Sequence, residues 1–192
     1  MDAMTDIPLG CIVAGVVVAT ALIWFVATLN RFIRLRNLID ESWSNVDVVL
    51  RRRYDLIPNL VETVKGYAKH EKEALAEVVA ARDRAIASTG RVGQQAHDEN
   101  RLVRSVNHLF ARAEAYPQLE ASQNFLQLQR ELVNTEDRIA AARRFYNANV
   151  REHNTLVEQF PSMMVARMMG RQGEEFFEIE SLAIRQAPPV SL

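Results

Sequence analysis

The four histidines are the side chains best suited to metal or acid–base chemistry in this 192-residue chain. A di-iron site in a helical protein uses Glu-x-x-His pairs, but the residues three positions before His70, His97, His108 and His153 are Tyr67, Gln94, Ser105 and Val150. The sequence contains no His-Glu-x-x-His motif, Walker loop or nucleophile elbow. A metal site or a Ser/His/Asp triad assembled only by folding stays open. We therefore expect no enzymatic activity, no cofactor and no metal.

Cys11 is the only cysteine, which excludes a disulfide scaffold and a cysteine-based zinc cluster. The formal net charge of −1 gives no electrostatic basis for binding nucleic acid. Hydrophobic residues make up 48% of the sequence, and this composition is not that of a disordered chain. Only 7 Gly and 6 Pro, with abundant Ala, Leu and Glu, favour an all-helical protein.

The run Arg51-Arg52-Arg53 is the strongest local concentration of charge. One interpretation is a solvated helix face in which one arginine pairs with Asp55 or with an acid on another helix. The other interpretation is a patch that docks a protein partner. Contact with lipid is not expected, because Arg52 lies 21 residues beyond Arg31. A straight helix makes that about 30 Å, against a Debye length of about 8 Å.

Three polar residues interrupt an apolar seam that predicts a long helix from Leu119 to Glu158. They are Thr135, Asn149 and His153, within a seam that spaces its members three and four residues apart: Phe125, Leu128, Leu132, Thr135, Ile139, Ala142, Tyr146, Asn149, His153, Leu156 and Phe160. We interpret them as buried, hydrogen-bonded residues that fix helix register. The alternative is a polar pocket. Asn147 and Asn154 are expected to face solvent.

An apolar N-terminal segment, residues 1–30, precedes all of these residues and determines where they are located. Its 24 residues from Ile7 to Asn30 are uncharged, and a membrane-spanning helix needs roughly 20. The alternatives are a buried core helix, a cleaved signal peptide, for which a positive leading region is missing, and a lipoprotein box at Leu9-Gly10-Cys11. We predict a transmembrane anchor.

The flanking charges predict the orientation of this anchor. Arg31, Arg34 and Arg36 follow the apolar run, whereas only Asp2 and Asp6 precede it. The positive-inside rule places the N-terminus outside and the remaining chain in the cytoplasm. We expect these arginines to lie at the membrane interface and to meet the lipid bilayer.

Residues 31–160 are expected to form four amphipathic helices. The stretches are about Arg31–Tyr54, Pro58–Ser88, Asp98–Ala115 and Leu119–Glu158, with a loop at Thr89–Gly93. Pro58 suits the first turn of a new helix. Because the apolar pattern stays nearly in phase across Pro58, one helix with a kink is the alternative. Leu75, Val79, Arg82 and Ile86 are expected on the inner side of the second stretch. The predicted fold is all-α: one transmembrane helix followed by an elongated up-and-down four-helix bundle.

Residues 161–192 open with a methionine-rich short helix and continue as a variable tail. Ser162 is expected to cap the helix and Gly170 to end it. The segment either packs beneath the bundle as filler or lies in the membrane interface or against a partner helix. The residues expected at the interface are Phe160, Met163, Met164, Met168 and Met169. An up-and-down bundle would return them, with Phe176 and Phe177, to the level of Arg31.

Three strings resemble the signature of the LemA family: Arg52–Glu71 (RRYDLIPNLVETVKGYAKHE), Ala121–Gln129 (ASQNFLQLQ) and Glu136–Asn147 (EDRIAAARRFYN). The resemblance covers roughly residues 20–170 and is expected to lapse after Gly170. It implies a single-pass inner-membrane protein with a cytoplasmic helical bundle and no catalytic residues that could be assigned. It also implies a role in membrane organisation, since one member is linked to magnetosome formation, or an accessory role beside membrane proteases.

From these features we expect a non-catalytic, membrane-anchored scaffold that acts through self-association as a homo-oligomer. The alternative is an adaptor or accessory subunit for a membrane protease or a signalling complex, which would use Arg51–Arg53 or the methionine-rich segment. A ligand sensor that uses a pocket at Asn149 and His153 is the third hypothesis.

Overall fold

The computed structural model describes residues 9–88 and 90–182, which contain helices and no strand. This confirms the all-α class. The helices are α1 (Leu9–Tyr67), α2 (Lys72–Ala87), α3 (Val92–Ala113), α4 (Pro117–Glu120), α5 (Gln123–Glu158) and α6 (Ser162–Met168).

Helix α1 runs through Pro58 without ending. The prediction that Pro58 starts a new helix was therefore wrong, and the alternative of one helix is correct. Leu50, Ile57, Leu60 and Val64 are all buried, so a single apolar face continues on both sides of the proline. Packing of this face offsets the roughly 3 kcal/mol that an interior proline costs a helix.

The break that the sequence analysis missed lies between α1 and α2. Helix α1 ends at Tyr67, directly after Gly66, and α2 begins at Lys72. This interruption rotates the apolar face of α2 away from the predicted phase, so that Val79 and Ile86 are exposed. Leu75 is buried as predicted, and the other buried side chains of α2 are Ala74, Val78, Ala81 and Ala85.

Helices α3 and α5 match their predicted cores, with shifted ends. Helix α3 begins at Val92, six residues before the predicted start, and Gly90 of the expected loop adopts a positive φ, of 129°. A short turn separates α4 from α5, so the predicted fourth stretch is two helices. The buried side chains of α3 include Leu102, Val106, Leu109, Phe110 and Ala113.

The chain forms two compact units, and α1 and α5 each contribute to both. The first unit comprises the residues up to Asp40 and Asn149–Glu174. Its core cluster brings α1, α5 and α6 together through Phe32, Leu35, Leu156, Val165 and Ala166. Asn154 on α5 holds residue Glu174 of the same unit, because its amide donates to the Glu174 carbonyl (2.9 Å) and accepts from the Glu174 N–H (2.8 Å).

The second unit comprises Glu41–Ala148 and the residues from Glu175 onward. Helices α1, α2, α3, α4 and α5 all contribute buried side chains to it. The described part of its C-terminal stretch, residues 175–182, has no regular secondary structure. This stretch is nevertheless fixed by hydrogen bonds to α3 and α5.

Among the described residues, one helix is long and apolar enough to cross a membrane, and it is α1. Only 6% of its apolar window is buried, and Val17 and Ile23 are 62% and 71% exposed. The alternative of a buried core helix is therefore wrong. The acidic residues used to predict orientation, Asp2 and Asp6, lie outside the described residues.

Candidate functional site

A buried ion cluster formed by Arg53, Glu99 and Glu136 lies in the interior of the second unit. Arg53 stands on α1, Glu99 on α3 and Glu136 on α5. The Arg53 Nη1 donates to Glu136 Oε1 at 2.9 Å, and Nη2 donates to Glu99 Oε2. The side chains of Arg53 and Glu99 are 0% exposed and that of Glu136 is 11% exposed. One guanidinium thus joins two carboxylates from two other helices.

Further hydrogen bonds from Tyr54, Gln95 and Arg82 surround the ion cluster. The Tyr54 hydroxyl donates to Glu99 Oε1, and Gln95 Nε2 donates to the same oxygen at 2.8 Å. Gln95 also donates to the Ala85 carbonyl at 3.1 Å, and Arg82 Nε donates to the Tyr54 carbonyl at 2.8 Å. Helices α1, α2, α3 and α5 therefore meet at one polar centre.

The electrostatics of the ion cluster favour a fixed charge state. Burial acts to lower the pKa of Arg53, but the carboxylates of Glu99 and Glu136 outweigh it, and the pKa is raised above its ordinary value. Burial, followed by the negative charge of Glu99, raises the pKa of the Tyr54 hydroxyl. Near neutral pH, a charged guanidinium and a protonated phenol donate hydrogen bonds but do not transfer protons. This arrangement serves to hold helices together.

The raised pKa of Tyr54 makes the stability of the protein depend on pH in the alkaline range. An unfolded tyrosine loses its proton near pH 10, whereas folded Tyr54 keeps it. The stabilisation is complete below about pH 10 and is lost as the pH rises above that value, by up to about 1.4 kcal/mol per pH unit for one proton. We expect denaturant titrations between about pH 9 and 11.5 to show this slope reduced in Tyr54→Phe. Tyr67→Phe, which changes an exposed tyrosine, is the control; equal slopes in the two variants would contradict the prediction.

A second structural feature of this unit is the clamp on residues 175–180, which we call the C-terminal segment. Asn147 on α5 donates to the Phe177 carbonyl (3.1 Å) and accepts from the Phe177 N–H (2.9 Å). Asn100 on α3 donates to the Glu178 carbonyl (3.3 Å) and accepts from the Glu180 N–H (2.7 Å). Two asparagines, one on α5 and one on α3, thus pair with the backbone of the C-terminal segment. The prediction that Asn147 and Asn154 face solvent was wrong.

Phe177 anchors the C-terminal segment. It is 0% exposed, and its ring packs edge-to-face with Trp43, with centroids 5.2 Å apart. The Tyr146 hydroxyl donates to the Glu175 carbonyl at 3.0 Å, and Arg143 donates to the Ile179 carbonyl. Phe177 is therefore a core residue of the second unit. The topology argument, which predicted that Phe177 returns to the membrane interface, was wrong for this residue.

The fold places the three residues of the predicted arginine patch, Arg51–Arg53, in different environments. Arg51 and Arg52 are exposed, and Arg51 pairs with Asp47 at 2.9 Å. Arg53 is buried in the ion cluster, so it cannot belong to an exposed docking patch with its neighbours. The interpretation in which one arginine pairs with acids on other helices describes Arg53 correctly. Docking through Arg51 and Arg52 stays a prediction.

The three polar residues of the α5 seam are buried and have intramolecular partners. The Thr135 hydroxyl donates to the Glu131 carbonyl at 2.7 Å. In the first unit, Asn149 donates to the Leu38 carbonyl at 3.3 Å, and the His153 ring stands edge-on to Phe32 with centroids 5.8 Å apart. These contacts agree with a register-fixing role. The seam is half-buried at Leu128 and Ala142, and it ends before Phe160, which is 70% exposed.

The residues predicted at the membrane interface belong to the first unit. Arg31, Arg34 and Arg36 are exposed, and Arg31 pairs with Glu152 at 2.9 Å. Phe160, Met164 and Met168 are exposed, Met163 is half-buried, and Met169 packs against the core cluster. Ser162 does not cap α6, since its hydroxyl donates to the Gln159 carbonyl. Gly170 follows the helix with a φ of 63° and permits the chain to turn away.

An open cleft on the second unit is lined by α1 and α5. Residues Asn59 and Thr63 come from one of the strings quoted above and Asn124 and Gln127 from another. Among residues 9–88 and 90–182, no group of three or more His, Cys, Asp or Glu side chains could hold a metal ion. Glu62, Leu128 and Glu131 complete the lining of the cleft, which is therefore mostly polar.

A comparison with protein families identifies the family to which the three quoted sequence strings belong. The LemA family model matches residues 42–192, which is more than half of the chain. The chain belongs to the LemA family. Because the match reaches Leu192, the expectation that the resemblance lapses after Gly170 was wrong. The matched range includes the clamped C-terminal segment.

Curated relatives of this LemA protein are distant in sequence. Magnetosome protein MamQ of Magnetospirillum gryphiswaldense is 23% identical over 186 residues, covering 82% of this chain and 68% of the relative. Magnetosome protein MamQ 2 of Paramagnetospirillum magneticum is 25% identical, covering 85% and 71%. Protein LemA of Metamycoplasma hominis is 24% identical, covering 82% and 72%. None of these three names denotes an enzyme.

Proposed function

We propose that this LemA protein is a non-catalytic scaffold, held in the bacterial inner membrane by the N-terminal part of α1 and acting through self-association. The observation that carries the proposal is the continuity of α1. Its 59 residues lead from the exposed apolar stretch to Arg53 in the ion cluster without a break. In this proposal the second unit is the cytoplasmic bundle, with an elongated up-and-down arrangement, and the N-terminus lies outside.

The packing of the C-terminal end of the apolar segment supports the proposal that this segment is not cleaved off as a signal peptide. A signal peptidase would have to cut near the end of the apolar run, close to Asn30. Phe25 and Leu29, just before that point, pack against the core cluster of the first unit. Cleavage there would remove part of that core and split a continuous helix. A cleaved signal peptide is therefore the less favourable reading of the same residues.

A structural role is supported by the ion cluster and by the relatives. The most polar interior site of the second unit is closed, and its charges are committed to each other and to helix contacts. The related magnetosome proteins are named for an organelle rather than for a reaction. Self-association would turn a single anchored copy into an array that organises the membrane around it.

The experiment is chemical crosslinking of the full chain in native membranes. The three lysines, Lys65, Lys69 and Lys72, are close together, so a carboxylate-coupling reagent, which can use the 24 acidic residues, samples the surface better. Two differently tagged copies are co-expressed, crosslinked and purified through one tag. We expect the second tag to co-purify and most links between chains to join two copies of this protein. A monodisperse monomer after extraction, with no link between copies, would overturn the scaffold.

An adaptor for a membrane protease or signalling complex is the second candidate, and the open cleft favours it. Asn59, Thr63, Asn124 and Gln127 offer amide and hydroxyl groups in an exposed, concave surface. In the same crosslinking experiment, one stoichiometric heterologous partner linked at the cleft, through its lining residues Glu62 or Glu131, would support the adaptor.

A further inference from the structure

We propose that α6 and the preceding Phe160 form a lateral foot, which lies on the headgroup–acyl boundary of the bilayer beside the anchor. The proposal rests on the proposed membrane anchoring by α1. It adds a second, peripheral contact with lipid that involves a separate part of the chain. The occupant of this surface is the lipid bilayer.

The foot presents an exposed apolar face. Phe160, Met164 and Met168 are 70%, 56% and 76% exposed. They follow one another at intervals of four residues, so Met164 and Met168 share one face of α6 and Phe160 precedes them in the adjoining turn. Val165 and Ala166 on the other face are buried in the core cluster. A short helix with an inner and an outer apolar face needs an apolar environment on both sides.

The level of the foot along α1 identifies that environment. The α1 residues at the core cluster that α6 joins are Phe32 and Leu35, with Phe25 and Leu29 packed against it. Phe25 and Leu29 lie within the uncharged run that ends at Asn30, and Leu35 is five residues beyond it. Five residues of helix rise about 7.5 Å, and the polar layer of one leaflet is about 5–7 Å thick. The foot therefore lies level with the end of the span.

Charge around the foot agrees with a lipid surface. Arg167 on α6 is exposed, as are Arg34 and Arg36 on α1. Arginines at this level can meet anionic headgroups while the apolar face enters the acyl boundary. The methionines suit this role, because their unbranched side chains adapt to an irregular fluid surface.

The test measures membrane depth at single labelled cysteines in the full chain. Cys11→Ser gives a cysteine-free background, to which Met168→Cys, Val17→Cys or Gln127→Cys is added, and each variant carries an NBD fluorophore. The proteins are reconstituted in phosphatidylcholine–phosphatidylglycerol vesicles containing lipids with a nitroxide at a shallow or a deep acyl position. Val17 reports the anchor, and the exposed Gln127 of the second unit is the control.

We expect the Met168 label to be quenched several-fold more by the shallow nitroxide than the Gln127 label, and Met164→Cys to repeat the result. The Val17 label should be quenched by the deep nitroxide. Quenching at Val17 with none at Met168 would overturn the foot and leave the anchor standing. No quenching at either position would overturn the anchor and the foot together. A Met168 label that is blue-shifted but not quenched would show that protein covers this face, and it would also overturn the foot.

Discussion

Replacement of Arg53 by methionine is expected to destabilise the protein by about 3–5 kcal/mol. The methionine keeps much of the stem volume, but the carboxylates of Glu99 and Glu136 lose their shared guanidinium while they stay out of water. A loss of this size is a large fraction of the roughly 5–15 kcal/mol that typically stabilises a protein. Chemical denaturation of the full chain in detergent micelles, followed by circular dichroism, measures it.

The matched control is Arg52→Met, because Arg52 is the exposed neighbour on the same helix. A surface substitution of this kind is expected to change the free energy of unfolding by no more than about 0.5 kcal/mol. Equal effects of Arg52→Met and Arg53→Met would contradict the ion cluster as a source of stability.

A triple variant separates the loss of a favourable contact from the exposure of two unpaired charges. Arg53→Met, Glu99→Gln and Glu136→Gln together remove all three charges, while the amide oxygen introduced by Glu99→Gln can still accept from the Tyr54 hydroxyl. We expect the triple variant to regain more than half of the stability that Arg53→Met loses, since a buried ion pair gains little over neutral groups of similar volume. A triple variant as unstable as the single one would show that the charges themselves, and not their imbalance, stabilise the fold.

The sequence carried enough information to predict the helices and most of their buried faces. Periodic apolar residues are a local signal, so the cores of α3 and α5 were placed correctly. The break at Ala68–Glu71 was missed because it has no proline and only Gly66 nearby. The opposite error was made at Pro58, where the sequence predicted a new helix. Proline is a strong local helix breaker, but a helix tolerates it where tertiary packing continues on both sides.

The polar centres were harder to predict, although one signal was present. Arg53 follows Val46 and Leu50 at the spacing of the apolar face and is followed in phase by Ile57. An arginine in that position indicates a buried, paired charge more than a surface patch. Its partners could not be predicted, because Glu99 and Glu136 come from helices whose relative rotation only the tertiary structure fixes. The clamp by Asn147 could not be predicted either, because the segment that Asn147 holds is not helical and leaves no periodic pattern in the sequence.

Phe177→Ala is expected to release the C-terminal segment from the second unit. Truncating a fully buried phenylalanine typically costs about 3–5 kcal/mol. The clamps by Asn147 and Asn100 hold only the backbone, so they cannot replace the lost ring. Every 1.4 kcal/mol is about a factor of ten in an equilibrium, and the undocked population should therefore rise by at least about 100-fold. Limited proteolysis within residues 171–182 measures this population.

Trp43 provides an independent readout and Phe176 the control. In a Trp24→Phe background, Trp43 is the only tryptophan, and its fluorescence should shift to the red when the Phe177 ring no longer packs against it. Phe176→Ala changes the adjacent, 39% exposed residue and should leave both the proteolysis rate and the emission nearly unchanged. If Phe176→Ala and Phe177→Ala behave alike, the segment is held by its backbone clamps alone. If only Phe177→Ala responds, the buried ring is the anchor, and the asparagines act by selecting the register in which it enters.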